Sequence, residues 1–204
     1  MRSLFGSNDL VYARCPSGVG DLVGGGRERW EVSGPDGTIV ATVEETDLTA
    51  LRRAGRFLNN LFPDQQRRRL EMRDSSSGRT QFEVLTQPPK PGLEYADIRA
   101  ADGPSAGSVR LIRPDGSDHV GLGFFDVQDN RLGVARYARD KTAGSGHRTL
   151  DLLAADGTLI GELASTKRRA GSGPTGYRMI INETLSEPLR SLVYAAPIVR
   201  HFVH

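Results

Sequence analysis

From Trp30 to Leu163 the chain repeats one small pattern: a short run of alternating apolar and polar residues, a polar turn, then a second alternating run. The first copy is Trp30-Glu31-Val32-Ser33, the turn Gly34-Pro35-Asp36-Gly37, then Thr38-Ile39-Val40-Ala41-Thr42-Val43. Alternation puts every second side chain on one face, as in a half-buried strand. Asp-Gly between two such runs predicts a tight hairpin, because the turn needs a positive φ that these residues tolerate. Further copies are predicted over residues 70–84, 95–112, 123–137 and 150–163, the last turning at Ala154-Ala155-Asp156-Gly157. A single strand follows at 177–181. A short strand is also expected at Leu10-Val11-Tyr12-Ala13, inside an otherwise irregular segment 1–28.

Two stretches follow a helical period instead. Over 47–62, Leu48, Leu51, Leu58, Leu61 and Phe62 fall on one face, Arg52, Arg53 and Arg56 on the other, and Pro63 ends the run. This predicts an amphipathic surface helix packed on the sheet. The second stretch, 186–204, opens with Ser186-Glu187-Pro188, a helix start with a hydroxyl to cap it. Leu189, Leu192, Val193, Tyr194, Ala195, Ala196, Ile198, Val199, Phe202 and Val203 then cover nearly the whole circumference. A helix apolar all round is buried in protein or inserted in a membrane. From Leu189 it would span roughly 24 Å at 1.5 Å per residue, short of the ~20 residues a membrane crossing needs. Burial in protein is therefore predicted. Pro197 cannot donate to the Val193 carbonyl, which predicts a kink or loosened turn between them, and Arg200 and His201 are expected to reach water where the helix emerges.

About twelve strands joined as hairpins form an antiparallel meander, and a sheet that long closes or splits because its open edges are sticky. A closed barrel wound around the terminal helix would protect the edges and cover the helix together. The expected fold is thus mainly β, an antiparallel barrel with a central helix, with 29–204 as a single domain. A β-sandwich with the helix along one edge is the rival, and it would leave much of the helix wet.

Composition narrows the function. The chain has 204 residues, 37% hydrophobic, with a formal net charge of +2. That charge is too small for a nucleic-acid binder, so nucleic acid is not expected as a partner. The only cysteine, Cys15, permits neither an intrachain disulfide nor a cysteine zinc site. The first residues hold no apolar run long enough for a secretory signal, so a cytoplasmic location is expected, peripheral to the membrane where lipid is engaged.

Motifs for chemistry are lacking. Gly18-Val19-Gly20-Asp21-Leu22-Val23-Gly24-Gly25-Gly26 resembles a phosphate loop but leads into a strand pattern rather than a helix, and reads as a linker. His119, His147, His201 and His204 form no metal-binding spacing. Asp126-Val127-Gln128-Asp129-Asn130 begins like a calcium loop, but Arg131 stands where glycine is required and Tyr137 where the closing glutamate should be. There is no Gly-x-Ser-x-Gly elbow, and Glu44 and Glu45 would point to opposite faces of a strand. No enzyme activity, cofactor or metal is expected.

The order of hairpins, the run Glu44-Glu45-Thr46-Asp47 after the first, and the apolar terminal helix together resemble the phospholipid scramblase family. They also resemble its relatives, the LURP-one-related proteins and the tubby C-terminal domain. The resemblance covers residues 29–204 and is most specific over 30–47 and the last helix. It implies a twelve-stranded barrel enclosing a hydrophobic helix. The calcium segment proposed for animal scramblases is acidic, whereas Gly171-Ser172-Gly173-Pro174-Thr175-Gly176-Tyr177 holds no carboxylate. A compact, calcium-independent member is the nearer match.

Basic clusters are the remaining feature. Arg67, Arg68 and Arg69 lead into a strand, and Lys167, Arg168 and Arg169 follow the fifth hairpin, with Arg178 nearby in sequence. Guanidiniums on a rigid rim can hold a phosphorylated headgroup through paired donors. Basic surface residues that bind phosphoinositides are also what the tubby resemblance implies. The plain reading is solvated surface charge, with Asp64, Glu71 and Glu162 as partners. The function expected is a non-enzymatic barrel binding an anionic phospholipid at a membrane surface. The alternative is a soluble scaffold or signalling adaptor that binds a protein.

Overall fold

The computed structural model describes residues 4–15, 29–46, 68–86, 95–101, 103–113, 120–138, 149–166 and 176–202. Its strands are β1 (Asp9–Arg14), β2 (Arg29–Ser33), β3 (Ile39–Glu45), β4 (Arg68–Asp74), β5 (Thr80–Thr86) and β6 (Tyr95–Ala100). They continue as β7 (Ser105–Ile112), β8 (Gly121–Phe125), β9 (Arg131–Tyr137), β10 (Thr149–Ala154), β11 (Leu159–Ser165) and β12 (Gly176–Ile181). These twelve strands make one closed antiparallel barrel, each paired with its neighbours in the chain, and β1 paired with β12 at the closing seam. The short strand expected near Leu10 is β1, which supplies that seam. The helix expected over 47–62 lies outside the described residues, as does the glycine-rich run 18–26.

The five hairpins, β2–β3 to β10–β11, share one irregularity. In each, the second strand carries one residue with no partner opposite it: Val40, Gln81, Ala106, Leu132 and Ile160. Such a bulge bends the strand and increases its twist, as a barrel rim requires. The turns follow the sequence closely. Asp36 Oδ1 accepts the Thr38 N–H at 3.1 Å, Asp156 Oδ1 accepts the Thr158 N–H at 2.9 Å, and Gly37 and Gly157 carry φ of 78° and 88°. The Asp126 carboxylate is likewise spent on its own turn, accepting the N–H groups of Gln128 and Asn130 at 2.9 and 2.8 Å.

Alternate residues of every strand turn inward into a continuous core that includes Leu10, Tyr12, Trp30, Leu70, Met72, Phe82, Phe124, Leu152, Tyr177 and Met179, all buried. The last element is α1 (Leu189–Phe202), in which every residue from Ser191 to Arg200 is buried. It lies closest to β5–β8. From other staves, the Tyr12 hydroxyl donates to the Tyr194 carbonyl at 3.0 Å, and Trp30 meets His201 edge-on at 4.8 Å. The Tyr194 hydroxyl donates in turn to the Ser7 carbonyl at 3.2 Å.

Two details depart from the expected helix. The cap is the Glu187 carboxylate, which accepts the Ser191 N–H at 3.3 Å and holds Arg190, while Ser186 contributes its carbonyl to the Arg190 N–H. Arg200 does not reach out into water: it is only 6% exposed, because Tyr137 covers it.

The two barrel ends differ. One carries the five hairpin turns. At the other, odd-numbered strands end and even-numbered ones begin, and α1 stops there beside Trp30, Arg68 and Tyr137.

Candidate functional site at the helix end of the barrel

The basic residues singled out in the sequence fall in different places. Arg178 stands outward on β12 and forks onto Asp9 of β1, Nε to Oδ1 at 3.0 Å and Nη2 to Oδ2 at 2.6 Å. That hydrogen bond from Arg178 holds the Asp9 carboxyl below its ordinary pKa, against a smaller effect of burial. Arg178 thus fastens the closing seam. Arg69 pairs with Glu83 on the neighbouring β5. Arg68, next to it, has the opposite parity: its guanidinium lies 5.0 Å from the Phe202 ring centroid at the end of α1. β3, β2 and β1 separate β4 from β12, roughly 19 Å around the wall at about 4.8 Å per strand. The structure therefore does not bring Arg178 together with Arg68 and Arg69. Arg67, Lys167, Arg168 and Arg169 lie outside the described residues.

Arg68 apart, what gathers at the helix end was not singled out in the sequence as a binding site. The last turn of α1 carries Arg200 against Tyr137 of β9, with Nη2 donating to the phenol oxygen at 3.0 Å and the guanidinium 5.5 Å from the ring centroid. No acid among the described residues pairs with this buried cation. Burying an unpaired charge costs several kcal/mol. The aromatic face and the negative end of the helix dipole offset part of that. Across the mouth, Trp30 Nε1 is buried without an acceptor. The arrangement places a guanidinium without a described acid and an unpartnered indole N–H at one end of the barrel. It suits an oxyanion and has no nucleophile beside a base.

The sequence signal for Arg200 was present but ambiguous. An arginine in the last turn of an apolar helix can snorkel outward or find a buried partner, and only the position of Tyr137 decides. Elsewhere, burial pushes the Cys15 thiol pKa up, away from thiolate chemistry. Among the described residues no group of three histidine, cysteine, aspartate or glutamate side chains could hold a metal ion. No protein-family model matches this chain, and neither does any curated protein or solved structure.

Proposed function

We propose that this chain is a non-enzymatic binding barrel whose terminal helix fills the lumen, and that the mouth where the helix stops receives a phosphorylated lipid headgroup without calcium. A lumenal helix is supported by the unbroken burial of Ser191 to Arg200, and by contacts to β1, β2, β4 and β9 as well as β5–β8. This is the architecture implied by the resemblance to scramblase-like, LURP-one-related and tubby-type proteins. The helix serves as core and not as an anchor: its fourteen residues span about 21 Å at 1.5 Å each. No helix among the described residues is long and apolar enough to cross a membrane.

Arg200 carries the headgroup reading. A phosphate at the mouth would supply the anion that no described acid provides, and a guanidinium takes phosphate through two donors at once. Arg68 faces the same end.

Vesicle flotation tests it. The protein should float with phosphatidylcholine vesicles containing a phosphoinositide and not with phosphatidylcholine alone. Arg200→Gln should weaken that binding about tenfold or more, the loss of one charged hydrogen bond worth ~1.5–3 kcal/mol, with Trp30 fluorescence unchanged. Binding that ignores both the anionic lipid and the Arg200 substitution would refute the headgroup reading.

A further inference from the structure

A hollow of about 150 Å³ indents the outer wall between β9 and β10 near the hairpin turns. Its lining includes Arg131 and Arg136, Val134 and Leu153, and Ala155 and Gly157 of the β10–β11 turn. Five residues apart on one strand, the two arginines should face opposite sides of the wall under plain alternation. The bulge at Leu132 cancels that. It sets Arg131 opposite Phe125 while Gly133 stays opposite Phe124, whose ring is buried in the core. Both guanidiniums therefore belong to the outer face. Between them, Val134 and Leu153 are cross-strand partners, and Leu153 is only 8% exposed on that face, giving the hollow an apolar floor.

Most arginines on this wall are neutralised. Arg178 is tied to Asp9, Arg69 to Glu83, Arg73 to Glu71 and Arg110 to Asp129. Arg131 and Arg136 are exposed, and among the described residues their side chains make no hydrogen bond, ion pair or ring contact. Asp151, opposite Arg136 in register, does not pair with it and is engaged elsewhere. Asp156 in the nearby turn uses Oδ1 to accept the Thr158 N–H. Two unspent forks thus share an indentation with room for about five waters at ~30 Å³ each.

We propose that this hollow binds a phosphate monoester. The guanidiniums take the phosphate oxygens as paired donors, and the Val134–Leu153 floor takes the carbon-bearing side of the ester. The site is distinct from the mouth at the other end of the barrel. Titration of the folded chain with glycerol 3-phosphate, followed by amide NMR, tests it. Saturable shifts are expected at Gly133, Ala155 and Gly157, at least tenfold weaker in Arg131→Gln/Arg136→Gln. They should be unchanged in Arg99→Gln, a wall arginine outside the hollow, and in Arg200→Gln, which separates this site from the mouth. Acetate should bind more weakly than the phosphate. Phosphoinositide vesicles that compete with glycerol 3-phosphate identify a lipid headgroup as the natural source, and vesicles that do not compete identify a soluble phosphate compound. Absent or unsaturable shifts, full binding by the double variant, or acetate binding as tightly as phosphate would overturn the proposal.

Discussion

Replacing Leu192 by alanine asks whether the terminal helix is the core of this protein. Leu192 is fully buried, in the second turn of α1. The substitution deletes three carbons, about 2.4 kcal/mol at ~0.8 kcal/mol per buried methylene. A void adds to this, bringing leucine-to-alanine losses to about 2.7–5 kcal/mol according to how far the surroundings relax. A wall laddered on all twelve strands relaxes little, so the loss belongs in the upper part, about 3–5 kcal/mol. At ~2–4 °C per kcal/mol for a chain of this size, the melting temperature should drop by about 6–20 °C. Urea unfolding followed by Trp30 fluorescence is the direct assay, because this single tryptophan is fully buried and meets His201 of the helix edge-on. Val127→Ala, at a site 55% exposed in the β8–β9 turn, is the control and should stay within about 0.5 kcal/mol. A Leu192→Ala loss no larger than the control's would mean the helix is not packed within the wall, and the lumenal reading would fall.

Two further outcomes follow from the same structure. Asp74, 3% exposed, is pushed up by burial, but hydrogen bonds from Ser76, Ser77 and the Leu4 N–H outweigh this and hold its pKa below the ordinary value. Its stabilisation is present above the unfolded pKa of roughly 3.9 and is lost as pH falls through the folded value. Asp74→Asn should cost about 1–3 kcal/mol at neutral pH and flatten the fall in urea midpoint below pH 4. At Gly161 a Cβ would collide with the Ile180 carbonyl oxygen on the paired strand, backbone that cannot move without breaking the ladder. Gly161→Ala should therefore lower stability by about 1–3 kcal/mol in thermal melts, and a neutral result would show that β11 and β12 are less closely apposed.

Hairpins were legible because alternation and Asp-Gly turns are local signals, and β2–β3 and β10–β11 lie where those signals put them. Bulges were not, since one unpaired residue in a short strand looks like a lapse in alternation. Arg131 therefore could not be placed beside Arg136. β7 begins at Ser105, although Ser105-Ala106-Gly107 has no strand pattern of its own, because pairing with β6 overrides propensity. Arg178 was grouped with Lys167, Arg168 and Arg169 by sequence proximity. Its partner Asp9 lies 169 residues away, and nothing local announces that pairing. The burial of Arg200 likewise depended on Tyr137, a strand residue 63 positions earlier.

The seam between β1 and β12 joins the first and last of the strands in chain order, and α1 comes after both. As the polypeptide leaves the ribosome, β2 to β11 can zip together one after another. Until β12 and the helix emerge, that sheet keeps two raw edges and an uncovered apolar face, both open to capture by another chain or a chaperone. Closure must therefore await the last segment, and so long a loop makes it a slow, high-contact-order step. A nascent chain stalled before Gly176 would lack β12 and would be an open ribbon and not a smaller barrel.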